Sequence, residues 1–235
     1  MKRKIIKFHN IKFYNNNFNF IFKLIMNGGY LVAPAASALS KIFENKSYHQ
    51  SLVHSNVAIL DSGFFCILLR ILKFEKVEKM SGYRFLKKFL NKKEIKNKKI
   101  LCIDPTLDEA RINKKFLTNL KFKNVLNYTA PFYKKGNITD SNLVNKINKI
   151  KPRIIIINIG GEIQEILASY IIKKLKFKVT IICTGAAIGF LTGTQAPINN
   201  IIDKIYLGWL FRILYNPRKF FLRTIKSFSL IKLFI

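Results

Sequence analysis

The sequence predicts an α/β protein: a Rossmann-like, mostly parallel sheet with helices on both faces, followed by a C-terminal amphipathic helical appendage. Three observations carry that expectation. Short apolar runs of β type alternate with helical patterns as far as Thr184. The run 153–159 holds five Ile in seven residues and is apolar to both sides, as a buried parallel strand requires. Beyond Asp203 the pattern turns helical and purely cationic, with Lys204, Arg212, Arg218, Lys219, Arg223, Lys226 and Lys232 and no acidic residue.

Strands are expected at 20–26, 56–60, 99–103, 125–129, 153–159 and 179–184, where β-branched and aromatic residues cluster between turn signals. Helices are expected between them, at about 34–44, 63–73, 82–90, 107–120, 140–150 and 162–174. The Lys-rich stretch 87–99 reads as a solvated helix end and loop. Gly185, Gly189 and Gly193 then punctuate an apolar stretch closed by Pro197. In the appendage Leu207, Leu210, Phe211 and Leu214 stand at i, i+3, i+4 and i+7, one face of a helix, and Pro217 breaks it. The division is therefore an α/β domain over 1–200 and a basic amphipathic appendage over 201–235. A cationic amphipathic segment of this kind suits an anionic membrane surface.

Composition narrows the function. The chain has 235 residues, 42 Lys and Arg against 12 Asp and Glu, and a formal net charge of +30. A hydrophobic content of 49% excludes disorder and is ample for a core. Cys66, Cys102 and Cys183 lie far apart in apolar runs, without disulfide or metal spacing, and read as reduced core residues of a cytoplasmic protein. No apolar run reaches the roughly 18 residues of a membrane span, and no secretory signal is visible. The excess of Lys, Asn and Ile is also what A- and T-rich coding DNA yields, so charge alone assigns no partner.

In open parallel sheets ligands bind beyond the carboxyl ends of the strands. The residues expected there are small or polar: Asn27-Gly28-Gly29, Asp61-Ser62-Gly63, Asp104-Pro105, Ala130-Pro131, Gly160-Gly161-Glu162 and Gly185-Ala186-Ala187. Their joint placement points to a nucleotide-type ligand. Gly160 and Gly161 open a helix, where a phosphate can approach backbone N–H groups. Acids near these ends are few: Asp61, Asp104, Glu162 and Glu165. Asp61 directly follows a strand and has the fixed reach a general base needs, although it also suits a helix N-cap. Gln164 and Glu165 fall in the first turn of their helix, placed either to bond ligand hydroxyls or to complement the helix dipole. His9, His49 and His54 are scattered and form no metal cluster.

Four segments together resemble the TagA/CpsF/WecG family of bacterial glycosyltransferases: Ile59-Leu60-Asp61-Ser62-Gly63, Lys79-Met80-Ser81-Gly82, Gly160-Gly161-Glu162-Ile163-Gln164-Glu165, and the stretch from Thr184 to Arg223 with Trp209 and Asn216-Pro217-Arg218. The resemblance implies transfer of a sugar from a nucleotide sugar, usually UDP-linked, to a polyprenyl-pyrophosphate-linked saccharide at the cytoplasmic face of the membrane. It implies Asp61 as the base of an inverting displacement and Gln164 and Glu165 near the donor. Asn27, Gly28, Lys79, Gly160, Gly161 and Gly185 complete the expected substrate contacts. It also implies Arg212, Arg218 and Arg223 as appendage groups that neutralise the leaving diphosphate. It implies no cofactor and no metal, and homo-oligomers occur in the family. The branch is divergent. Lys79 stands where an Arg is common, Gln195 precedes Ala196-Pro197, Gly208 precedes Trp209, and Glu162-Ile163 precede Gln164.

Three rival readings differ in class. An NAD or S-adenosylmethionine enzyme is disfavoured by the incomplete glycine fingerprint. A nucleic-acid-binding basic module is disfavoured because the aromatics follow core periodicity rather than a stacking strip. The last is an inactive homologue acting as a partner subunit or a basic membrane-binding protein.

Overall fold

The computed structural model describes residues 4–134, 136, 138–195 and 224–235. Eight strands form one sheet in the order β1-β2-β4-β3-β8-β7-β5-β6. They are β1 Ile5–Phe8, β2 Ile11–Tyr14, β3 Gly29–Val32, β4 Val57–Ile59, β5 Lys99–Asp104, β6 Asn124–Thr129, β7 Ile154–Ile157 and β8 Thr180–Cys183. Only β1, on the edge, runs antiparallel, paired with β2. Every other neighbouring pair is parallel. The helices are α1 Phe18–Ile25, α2 Ala36–Leu39, α3 Lys46–Val53, α4 Gly63–Leu72, α5 Gly82–Leu90, α6 Leu107–Asn119, α7 Ser141–Ile150, α8 Ile163–Lys174 and α9 Ala187–Thr192.

The pleat sends alternate residues to two cores. Ile155 and Ile157 of β7 join one, with Leu101, Ile103, Ile181 and Cys183, under α3, α4, α7 and α8. Ile154 and Ile156 join the other, with Ile100, Cys102 and Ile182, under α1, α5, α6 and α9. That two-sided burial is the reason for the unbroken Ile run, because neither face of the strand meets water. The three cysteines are free and buried.

The amino-terminal part corrects the sequence reading. Residues 20–26, expected as a strand, belong to helix α1. Asn17 caps it by accepting from the Phe20 amide at 3.1 Å. Phe18, Ile21, Phe22 and Ile25 are buried at helical spacing. Asn27 and Gly28 therefore follow a helix and lead into β3. They lie at the amino-terminal edge of the sheet, where Gly29 N donates to Val179 O at 2.8 Å. Gly29 has no alternative residue: its φ is +101°, and a Cβ would stand 2.0 Å from Asn56 Oδ1. The hairpin β1–β2 and helix α3 were not expected. His9 and Asn10 turn the hairpin with φ of 45° and 65°, the left-handed pair of a type I′ turn. The helix expected over 34–44 is helical only at Ala36–Leu39.

The end of the chain packs on the domain. Residues 224–228 are helical and Ser229–Leu233 continue as a 3-10 helix. Leu230 and Phe234 are buried in the first core, where the Phe234 ring lies 4.7 Å from that of Phe8. His9 Nε2 donates to Leu233 O at 2.8 Å. The cationic helix read around Leu207–Leu214, with Arg212, Arg218 and Arg223, lies outside the described residues.

Candidate active site

The carboxyl ends of β3, β4, β7 and β8 bring several expected residues together. Ser62, not Asp61, caps α4, its hydroxyl accepting from the Phe65 amide at 3.3 Å. Asp61 is thereby released for another bond: its Oδ1 accepts from the Gly82 amide at 2.7 Å, at the start of α5. Met80 N donates to Leu60 O at 3.1 Å beside it. Residues 62–80 are thus an excursion whose two ends are fastened together at Asp61. Gly82 closes the arrangement toward β3 and β8, since a Cβ on it would stand 3.2 Å from both Ala33 Cβ and Thr184 Cβ.

Lys79 belongs to the same neighbourhood. Burial pushes the Cys66 thiol up to about 12, and the charges of Lys79, Asp61 and Arg70 all act on it. In the chain Lys79 directly precedes Met80, whose amide bonds Leu60 O beside Asp61.

The second half of the site is a bridge from α8 to β8. Gln164 Oε1 accepts from the Gly185 amide at 2.8 Å, and its Nε2 donates to Glu165 Oε1 at 2.9 Å. Gly185 has φ of +58°, the conformation that turns its N–H to this bond. Gln164 and Glu165 are both buried. Gln164 braces the first turn of α8 to the turn after β8. Burial raises Glu165 from the usual carboxylate range to about 7, against the hydrogen bonds that lower it. Gly160 and Gly161 are exposed, and a Cβ on either would meet nothing within 4 Å. They leave the approach to α8 open. The N-cap of that helix is Glu162, whose side chain makes no capping bond.

Asp104 is a residue whose role the sequence understated. It ends β5 fully buried. Its Oδ1 accepts from Asn113 Nδ2 and Asn158 Nδ2, and its Oδ2 from Asn127 Nδ2, each at 2.7 Å. Three neutral amides from α6, β6 and the end of β7 therefore surround one carboxylate. That enclosure removes it from the candidate bases. It ties together the strands at the topological switch, because the chain leaves β5 toward β6 and leaves β7 the other way toward β8. The crevice of such sheets opens at this point. No sequence spacing signals the network, since its members come from four separate segments.

Among the described residues, buried polar atoms without a hydrogen-bond partner gather at this edge: Asn158 Oδ1 after β7, Glu165 Oε2 in α8 and Thr184 Oγ1 after β8. Unsatisfied buried acceptors cost stability and tend to persist where a site requires them. Asn27 and Gly28 are not among the residues brought together. They stand at the opposite edge of the sheet, because the segment before them is a helix.

An open parallel sheet with a braced acid and open glycine turns at its carboxyl edge defines a ligand-binding α/β enzyme of the Rossmann-like kind. The sequence model of the glycosyl transferase WecG/TagA/CpsF family matches residues 5–235. The chain belongs to that family, and the protein is a glycosyltransferase (EC 2.4) of cell-surface polysaccharide synthesis. The family implies a nucleotide-sugar donor and a lipid-linked acceptor. No curated protein matches the chain. Among the described residues no helix is long and apolar enough to cross a membrane.

Proposed function

We propose that the protein moves a sugar from a nucleotide sugar, UDP-linked, to a polyprenyl-pyrophosphate-linked saccharide, working peripherally at the cytoplasmic face of the membrane with Asp61 as general base. The observation that carries this reading is the fixed placement of Asp61. It stands at the carboxyl end of β4 and is held by the Gly82 amide at 2.7 Å. A base so held keeps one reach toward an acceptor hydroxyl. As that oxygen attacks the anomeric carbon, the proton passes to the Asp61 carboxylate and the bond to the nucleotide diphosphate breaks. A single displacement of this kind inverts the anomeric centre.

The open backbone at Gly160 and Gly161 supports a place for the donor's phosphates at the start of α8. The Gln164 brace keeps Gly185 and α8 in fixed relation around it. Lys79 adds a cation one residue before Met80, whose amide bonds Leu60 O next to Asp61. The family resemblance assigns Arg212, Arg218 and Arg223 to charge neutralisation of the leaving diphosphate.

Transfer from a panel of UDP-sugars and other nucleotide sugars to a short-chain polyprenyl-pyrophosphate saccharide tests the reading. Turnover is expected with a UDP-sugar, and Asp61→Asn is expected to lower it by about 10²–10⁴-fold. Full turnover in that variant removes Asp61 as the base. A response to NAD or S-adenosylmethionine alone overturns the donor class.

A further inference from the structure

The excursion 62–80 leaves the site at Asp61, runs out along α4 and returns to Asp61. Its far end exposes large apolar side chains among cations. Residues 70–76 are all exposed. Among them Phe74 is 90% exposed, Ile71 62% and Leu72 41%. Arg70, Lys73 and Lys76 alternate with these apolar residues against the single acid Glu75. Phe64, Ile67 and Ile71 lie at i, i+3 and i+7, one stripe of α4. At the start of that stripe the Phe228 ring rests against Phe64 at 5.2 Å, and beyond it the stripe opens to solvent at Ile71.

The conformation of Phe74 adds a second anomaly. Glu75 N donates to Leu69 O at 3.1 Å and closes the helix end. Phe74 takes the left-handed conformation, φ 52°, at a position that helices usually give to Gly or Asn. A large apolar side chain there costs backbone strain and gains almost no burial within the fold.

We propose that this tip, Ile71, Leu72 and Phe74 set among Arg70, Lys73 and Lys76, inserts into an anionic lipid surface. Charge complementarity selects that occupant: the tip alternates cations with apolar side chains, and the whole chain carries +30. Apolar wedges ringed by Lys and Arg bind interfaces by burying the wedge while the cations meet anionic headgroups. The consequence deepens the transferase reading and rests on it. The ten residues of α4 rise about 15 Å. Docking the tip therefore holds Asp61 about one helix length from the bilayer, within reach of an acceptor anchored there.

The test is a polarity-sensitive fluorophore on full-length Phe74→Cys protein. Cys66, Cys102 and Cys183 are buried, so the label goes to position 74. With phosphatidylcholine–phosphatidylglycerol vesicles the emission is expected to shift to the blue and to be quenched by chain-brominated lipid. Phe74→Gly is expected to keep or raise the melting temperature, to bind these vesicles roughly tenfold more weakly, and to retain wild-type turnover on a soluble short-chain acceptor. An unchanged spectrum overturns the proposal, whether or not the protein sediments with the vesicles. So does a blue shift that needs no vesicles and grows with protein concentration, which marks a second copy as the occupant. Loss of soluble-acceptor turnover in Phe74→Gly also overturns it. Absence of turnover in the wild type counts against the transferase reading alone, because the fluorescence is read without it.

Discussion

Gly82 donates its backbone amide to Asp61 Oδ1 at 2.7 Å, joining the first residues after β4 to the first turn of α5. The bond has a structural role separable from chemistry. Asn at position 61 keeps an oxygen acceptor for Gly82, whereas Ala leaves the amide without a side-chain acceptor. Asp61→Asn is therefore expected to melt close to wild type. Asp61→Ala is expected to lose about 1–2 kcal/mol, some 3–6 °C for a chain of this size. Calorimetry of the two variants checks it, and equal melting temperatures mean that the bond does not fasten the excursion.

The ionisation of Glu165 sets a pH dependence of stability. Its carboxyl is raised from 4.5 in the open chain to about 7 by burial. Folding therefore favours the protonated form. This group's contribution is most favourable below about 4.5, declines as pH rises to about 7, and stays constant above. A gap of that size corresponds to about 3 kcal/mol. Glu165→Gln removes the ionisation and keeps the shape. Its stability relative to wild type is expected to improve by about that amount between pH 4.5 and 7.5. Urea unfolding of both proteins across this range measures it. A pH-independent difference means that Glu165 is ionised throughout.

The five strands β4, β5, β6, β7 and β8 were legible in the sequence as short apolar runs between turn signals, and five helices by the period of their apolar residues. The first 55 residues were less so. The segment 20–26 is too short for length to separate strand from helix, and its cap, Asn17, lay outside the window read as a strand. Strand β3 opens on Gly29, which reads as a turn residue, and this leaves three apolar residues before Ala33-Pro34. Of the site, Asp61, Gly185, Gln164 and Glu165 could be singled out because each adjoins a strand end or opens a helix. What those side chains bond to could not be read, because the partners come from distant segments: Gly82 for Asp61, and Gly185 for Gln164.

The Asn cage around Asp104 gives a further prediction. Asn158 Nδ2 stands 2.7 Å from Asp104 Oδ1. Asn158→Asp replaces that donor with a second carboxylate, and two carboxylates at this distance do not both ionise in a buried site. The variant is expected to lose about 3 kcal/mol or more at pH 8. Much of this should return at pH 5, where one proton shared between the acids restores a hydrogen bond. Asn158→Ala lacks the shared proton and should show a deficit that changes little with pH. Parallel deficits in the two variants at both pH values mean that residue 158 does not contact Asp104.

The last twelve residues are expected to belong to the stability of the α/β domain, although they fall within the segment read as an appendage. Phe234 lies 4.7 Å from Phe8 and 6.0 Å from Phe65, ring to ring, and Leu230 is fully buried. The His9–Leu233 bond ties the same segment to the hairpin turn. A chain ending at 223 uncovers Phe8 and Phe65 and loses these contacts. Truncation of Phe234 alone, as Phe234→Ala, should lower the unfolding free energy by about 3 kcal/mol. The deletion should lower it further, and both should shift the urea midpoint in a single transition. An unchanged midpoint in the deletion separates residues 224–235 from the folding unit.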